Sequence, residues 1–327
     1  MSEWVKSLSV RFRRFYGVAR FIVVIALFAV LLHVVKLSEI TAAFKQARPQ
    51  YLILALLLLP LSLCLQVFKW RYILGAVNTK PPLKAVIISL FGGFFLGAVS
   101  PARSGEFARG FLVPGHSRMK IASLTLLEKG LNQAMIYCFG LIALVFLLPQ
   151  PFKALPIIAE ILLMVILFNI DRFRPHLVKI VRRFSTEDAV RNSLAAFDAL
   201  SAGKTGIMLF LSLIFYLVYS IQFYCLFLCF TDLSWQTACK TIPVIYLVNV
   251  LLPISVGDLG IKEMTSIKLL APFGIAAGAA FSSSLTQNVL TFIIPSFIGG
   301  VMIAVPRLRP LRGARPSDGY TVPESGK

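Results

Sequence analysis

Pro101-Ala102-Arg103-Ser104-Gly105-Glu106 and Pro253-Ile254-Ser255-Val256-Gly257-Asp258 are the two stretches that decide the fold. Each follows an apolar run and sets a proline, a small or polar residue, a glycine and then a carboxylate. Helix breakers and charges are costly in hydrocarbon, so they persist where backbone is buried in protein or lines a cavity. Two such stretches in corresponding halves predict an internally duplicated transporter whose broken helices meet near the bilayer midplane.

Composition supports a membrane location. Hydrophobic residues make up 57% of the 327-residue chain and charged residues 14%. Thr205 to Thr231, Gly130 to Gln150 and Leu269 to Pro306 are uncharged, and each is long enough to span a bilayer, which takes about 20 apolar residues. The net charge of +19 follows the positive-inside rule, with Lys and Arg facing anionic lipid, and nucleic acid is not the expected partner. Cys64, Cys138, Cys225, Cys229 and Cys239 read as small buried hydrophobes, not as disulfides or metal ligands. No cofactor is expected.

The predicted spans are Val18 to Val35, Tyr51 to Phe68, Ile121 to Leu148, Leu155 to Ile170, Thr205 to Thr231 and Ser283 to Val305. Lys69, Trp70, Arg71 and Tyr72 read as an interfacial belt closing the second span. Ala85 to Ala102 runs into the first motif, and Thr241 to Leu252 into the second, from which Ile261 to Ala280 leaves. Charge decides how to read these two segments. If both turn back within the bilayer, the cytoplasmic segments hold 21 Lys/Arg and the outer ones 5; a full crossing breaks the rule. The expected fold class is an all-α polytopic membrane protein with about six full spans and two re-entrant hairpins. Three crossings per half make it an inverted repeat. The domain plan is a basic cytoplasmic N-terminus (1–17), a membrane domain (18–305, with repeats 18–148 and 155–305) and a disordered cytoplasmic tail (306–327). The first span has no small-residue cleavage site after it and is read as uncleaved, with both termini cytoplasmic in the inner membrane of a bacterium.

Intramembrane charges mark the candidate site. Arg103, Glu106 and Arg109 flank the first turn, and the guanidinium fork suits phosphate. Glu106 either orients the arginines or caps the returning helix. Glu128, Lys129 and Asn132, with Gln133, lie on the third span; Gln287 and Asn288 lie on its counterpart. Ser255, Asp258, Lys262 and Glu263 surround the second turn, and Asp258 can pair with Lys262 four residues on. Pro101, Gly105, Pro253, Gly257 and Gly260 are the hinge and turn positions. Asn132, Gln133, Gln287 and Asn288 are also read as helix glue, and Gly93 and Gly97 as ordinary close packing. Glu160 reads as interfacial. His33, His116 and His176 are isolated and carry no role.

The stretch Ser100 to Arg109 (SPARSGEFAR), followed by Leu127 to Asn132 (LEKGLN), resembles the first signature of the lysylphosphatidylglycerol synthase transmembrane region. Leu251 to Glu263 (LLPISVGDLGIKE) resembles the second, with Asp258 where the usual pattern has a second Gly and Lys262 where Arg is frequent. In bifunctional members this region flips aminoacylated phosphatidylglycerol, and a separate soluble domain transfers the amino acid. No segment here is long enough for that domain; the longest non-spanning stretch, Asp171 to Lys204, is basic and amphipathic. The resemblance therefore implies a stand-alone lipid flippase rather than an enzyme. Its expected partners are lipids with anionic head groups and a lipid-modifying enzyme, and a homo-oligomer is also expected. A membrane-embedded lipid-phosphate transferase or an accessory subunit is the alternative.

Overall fold

The computed structural model describes residues 37–76, 81–113, 118–168, 202–252 and 259–305. The expected first span, the three histidines, residues 171–201, the turn 253–258 with Pro253, Ser255, Gly257 and Asp258, and the tail 306–327 lie outside the described residues.

All regular structure among the described residues is helical. The helices are α1 (Leu37–Lys45), α2 (Pro49–Ala76), α3 (Leu83–Ala98), α4 (Arg118–Leu147), α5 (Ala154–Phe168), α6 (Ala202–Phe230), α7 (Trp235–Leu251), α8 (Ile261–Leu270), α9 (Ala277–Asn288) and α10 (Ile294–Ala304). A 3-10 helix, Pro101–Phe111, follows α3, and a π-helical segment, Val289–Ile293, joins α9 to α10 without a break. Among the described residues, four helices are long and apolar enough to cross a membrane: α2, α4, α6 and the continuous α9–α10 rod. At 28 to 30 residues each they measure about 42–45 Å, more than the hydrocarbon core requires. By contrast, α3 and α7, at 16 and 17 residues, reach only about 24–26 Å.

Two stretches differ from expectation. The segment after the second motif is not one helix to Ala280. It ends at Leu270, because Pro272 and the left-handed Gly274 (φ 76°) break it, and the last rod starts at Ala277. The return from the first motif is a 3-10 helix rather than an α-helix, which suits a segment with Ser104, Gly105 and Gly110 in it.

Helices early and late in the chain pack together. Helices α2 and α6 lie against each other. Helix α3 packs on α10, while α7 packs on α4. Gly299 allows the α3–α10 approach, since a Cβ there would strike the Phe91 carbonyl. One cluster (Trp70, Ile73, Leu90, Phe94, Ile121, Leu124) holds α2, α3 and α4 together. Another (Phe223, Phe227, Ile242, Tyr246, Phe281) does the same for α6, α7 and α9. The outer surface carries Leu57, Phe146 and Phe297, each more than 60% exposed, the arrangement that lipid requires. Outside the rods, Arg48 makes a two-pronged ion pair with Asp232 (2.6 and 2.8 Å), tying the α1–α2 turn to the α6–α7 turn.

Candidate functional site

The chain reverses between α3 and the 3-10 helix. Ser100 Oγ accepts the Gly105 N–H at 2.6 Å, closing the turn. Gly105 is required here by contact, not by dihedral freedom: a Cβ would overlap the Leu96 carbonyl. The left-handed residue of the turn is Arg103 (φ 57°), a conformation costly for a non-glycine residue.

Residues three apart eclipse in a 3-10 helix, which stacks Glu106 and Arg109, and the left-handed turn at Arg103 brings its side chain onto the same column. Buried Glu106 gathers three cations: Arg103 Nε at 2.7 Å, Arg109 Nη2 at 3.2 Å and Lys129 Nζ at 2.8 Å. Arg109 also donates to Glu128 at 2.8 Å. Gly93 and Gly97 do more than pack helices. A Cβ at Gly93 would sit 2.6 Å from Arg109 Nε, and one at Gly97 would sit 2.7 Å from Glu106 Cγ. These two glycines hollow out α3 for the charged column. Because α4 begins at Arg118, Glu128 and Lys129 stand about three turns inside it.

Sequence reasoning misplaced Lys69 and Trp70. Both are fully buried inside α2, not at an interface. Trp70 donates to Ser89 at 2.8 Å, and its ring lies 5.1 Å from the Arg109 guanidinium. Lys69 donates to Asn132 and to Ser212 (2.9 Å) and lies 5.4 Å above Phe215. It has no carboxylate within ion-pair range among the described residues. Removing Lys69 from the cytoplasmic tally takes one charge from 21 and leaves the bias intact. The missed signal was spacing: Ser62, Gln66 and Lys69 on α2, and Ser212, Tyr216 and Tyr219 on α6, recur at helical intervals.

These elements line an open cavity of about 360 Å³. Arg103, Glu106, Arg109, Glu128 and Lys129 border it, as do Gln66, Gln133, Tyr219, Tyr246 and Asn249. The π-helical segment adds Thr291 and Phe292, and the Arg103 guanidinium lies 4.1 Å over the Phe292 ring. π-Bulges disturb helix register and recur at functional sites.

The second motif builds a separate network. Gly260 (φ 98°) starts α8, and its N–H donates to Glu263 at 2.6 Å. Asn288 accepts from Lys262 (3.0 Å) and donates to Glu263 (2.7 Å). The Lys262 ammonium lies within 6 Å of Tyr219, Phe223 and Tyr246. Asn288 reaches the cavity, while Lys262 and Glu263 are buried behind it. Gln287 bonds Tyr246 at 2.9 Å, joining α9 to α7 as helix glue does. Glu160 of α5 lies beside Cys138 of α4.

The chain is 20% identical over 302 residues to the UPF0104 membrane protein MJ1595 of Methanocaldococcus jannaschii, covering 82% of this chain and 88% of that one. Residues 17–299 match the family described as the lysylphosphatidylglycerol synthase TM region. With a match over most of its length, and with both charged motifs inside it, this multi-pass membrane protein belongs to the lysylphosphatidylglycerol synthase transmembrane-region family.

Proposed function

We propose that the protein is a lipid translocase that moves a phosphate-bearing head group through this cavity. The observation that carries the reading is Arg103, Arg109 and Lys129 lining a cavity among apolar helices. Guanidinium forks recognise phosphate oxygens, and the paired carboxylates weaken the capture enough for release. In this reading α3 with its 3-10 return, and α7 with α8, are half-penetrating hairpins of an inverted repeat in the cytoplasmic membrane. The head group crosses between them while its tails remain in lipid. The polar wall offsets a desolvation cost of several kcal/mol. The reciprocal packing of α3 on α10 and α7 on α4 supports a two-fold relation between halves, which rocking would use for alternating access.

The test is reconstitution into liposomes with fluorescent phospholipids, scored by quenching of the label from outside. Arg109→Gln is expected to slow exchange at least about tenfold, as loss of a charge-assisted bond to phosphate does. Exchange no faster than in protein-free liposomes, or an unchanged rate in Arg103→Ala and Arg109→Gln, defeats the reading.

A further inference from the structure

We infer that Glu160 is a proton-binding site, separate from the cavity, and that its uptake and release of a proton couple transport to a pH difference across the membrane. This rests on the translocase reading and names a regulation of it.

Glu160 is the one ionisable residue of α5, whose other side chains are all apolar. Ile157, Ile158, Ile161 and Leu162 around it are exposed, as lipid contact requires. Glu160 stands six residues from Ala154, about 9 Å into the helix. A charged side chain that close to a helix end usually turns its head out to water. Here both carboxyl oxygens are buried, and neither has an N–H or O–H partner. Among the described residues α5 packs on α4. The titratable groups of α4 at this level are Tyr137 and Cys138, and the group that faces the carboxyl is the Cys138 thiol, a weak donor. Lys153, seven residues earlier, lies before α5 begins.

Glu106, Glu128 and Glu263 are also buried, but each has strong donors. Glu106 has three cations, Glu128 has Arg109, and Glu263 has the Gly260 amide and Asn288. A carboxylate with no such partner in apolar surroundings is costly, and binding a proton removes the cost.

Helix α4 connects this seat to the cavity. Lys129 borders the cavity. Nine residues, two and a half turns, separate it from Cys138, so the two lie on opposite faces of one rod. A displacement of α4 that reshapes the cavity therefore also moves the surface covering Glu160. With α5 seated on α4 the carboxyl is neutral. When the seam admits water, the O–H bond breaks, the proton passes to water and the carboxylate is hydrated; closure reverses the step. The proton then acts as any ligand does, favouring the position of α4 that binds it better.

Two measurements on the full-length chain test this. Dicyclohexylcarbodiimide takes up the O–H of a protonated carboxylic acid across one C=N bond, and rearrangement leaves an N-acylurea on the side chain. In detergent at neutral pH, peptide mass spectrometry is expected to find this adduct on Glu160 and not on Glu106. The second measurement uses liposomes holding the protein in one orientation. One pH unit is worth up to about tenfold, so a one-unit difference is expected to change wild-type lipid exchange at least about threefold between its two senses. Glu160→Gln should exchange lipid at equal pH and lose this response, and Glu160→Asp, which keeps a titratable group, should retain it. An unlabelled Glu160, or a Glu160→Gln protein that responds as the wild type does, overturns the inference. Labelling decides the proton site even if Glu160→Gln fails to fold. If the wild type exchanges no lipid at any pH, the translocase reading falls and the coupling with it, while labelling still shows whether Glu160 holds a proton.

Discussion

Replacing Glu106 with Gln keeps the shape of the side chain and removes the charge on which three cations converge. At 2.8 Å, one full charge pair attracts by about 6 kcal/mol at an effective dielectric near 20, and desolvation cancels much of that. The cost of the substitution is set by the cations it strands. Breaking one buried pair costs about 3–5 kcal/mol. Arg109, only 3% exposed, is the most vulnerable, but it keeps Glu128. Arg103 and Lys129, at 25% and 30% exposure, regain some hydration. The amide oxygen retains one acceptor for the three donors. The expected loss is therefore about 3–5 kcal/mol, close to that of one fully buried pair rather than three. Equilibrium unfolding in mixed micelles, followed by far-ultraviolet circular dichroism, measures it. Adding Lys129→Met to the Gln variant should return about 1–2 kcal/mol, because one stranded cation is gone. A Glu106→Gln protein within about 1 kcal/mol of wild type, or a double variant with no coupling, would refute the idea that this carboxylate organises the column.

Gly105→Ala drives a methyl into the Leu96 carbonyl, which is backbone and cannot swing aside; unfolding in the same micelles should show a loss of about 3 kcal/mol or more, and less than about 1 kcal/mol would contradict the turn geometry. Lys69→Met removes a buried ammonium whose hydrogen-bond partners among the described residues are neutral, so stability should hold or rise by about 1–3 kcal/mol while lipid affinity falls; a loss above about 2 kcal/mol would mean the lysine is paired. Pairing with Arg48 holds the Asp232 carboxyl below its ordinary value of 3.8. The clasp is thus intact above that value and is lost only as pH falls through the lower, folded-state value. Isotope-edited infrared should find Asp232 ionised below pH 3.8 in the wild type and titrating at its ordinary value in Arg48→Ala.

Much of the fold was legible because membrane helices announce themselves by length and apolarity. The rods α2, α4 and α6 fall where uncharged runs place them, and Pro101 and Gly105 mark the first reversal. What was hidden depended on partners distant in sequence. Lys69 and Trp70 look interfacial because basic and aromatic residues at the end of an apolar run usually are. Only the continuation of α2 to Ala76, with Ser212 of α6 beside it, shows them to be interior. Gly93 and Gly97 read as a packing stripe, and nothing local reveals that the arriving groups are Arg109 and Glu106. The spacing 103, 106, 109 was visible, but its meaning required a helix of three residues per turn rather than 3.6. The π-helical segment at Val289–Ile293 has one local signal, Pro295, which has no N–H to give the Thr291 carbonyl four residues back.

The charges of the first motif and the described charges that follow the second, Lys262 and Glu263, are deployed differently. At the first, the carboxylate is a hub: Glu106 touches three cations, and the hub itself lines the cavity. An anion arriving there competes directly with Glu106 for the same guanidinium groups, so binding and release are coupled to rearrangement of the column. At the second, Glu263 bonds the Gly260 amide and Asn288, and Lys262 is boxed by three rings. Neither side chain reaches the cavity wall; only Asn288 does. A ligand can therefore exchange partners at the first motif without unpairing a charge at the second. This asymmetry predicts separable phenotypes. Lys262→Met should chiefly alter stability, because it removes a buried charge from its aromatic cage and from Asn288. Arg109→Gln should lower lipid affinity as well as stability, because it also strands the buried Glu128 carboxylate. Measuring unfolding and lipid binding on both proteins decides the matter: equal effects of the two substitutions on affinity would mean that the sealed network also senses the head group.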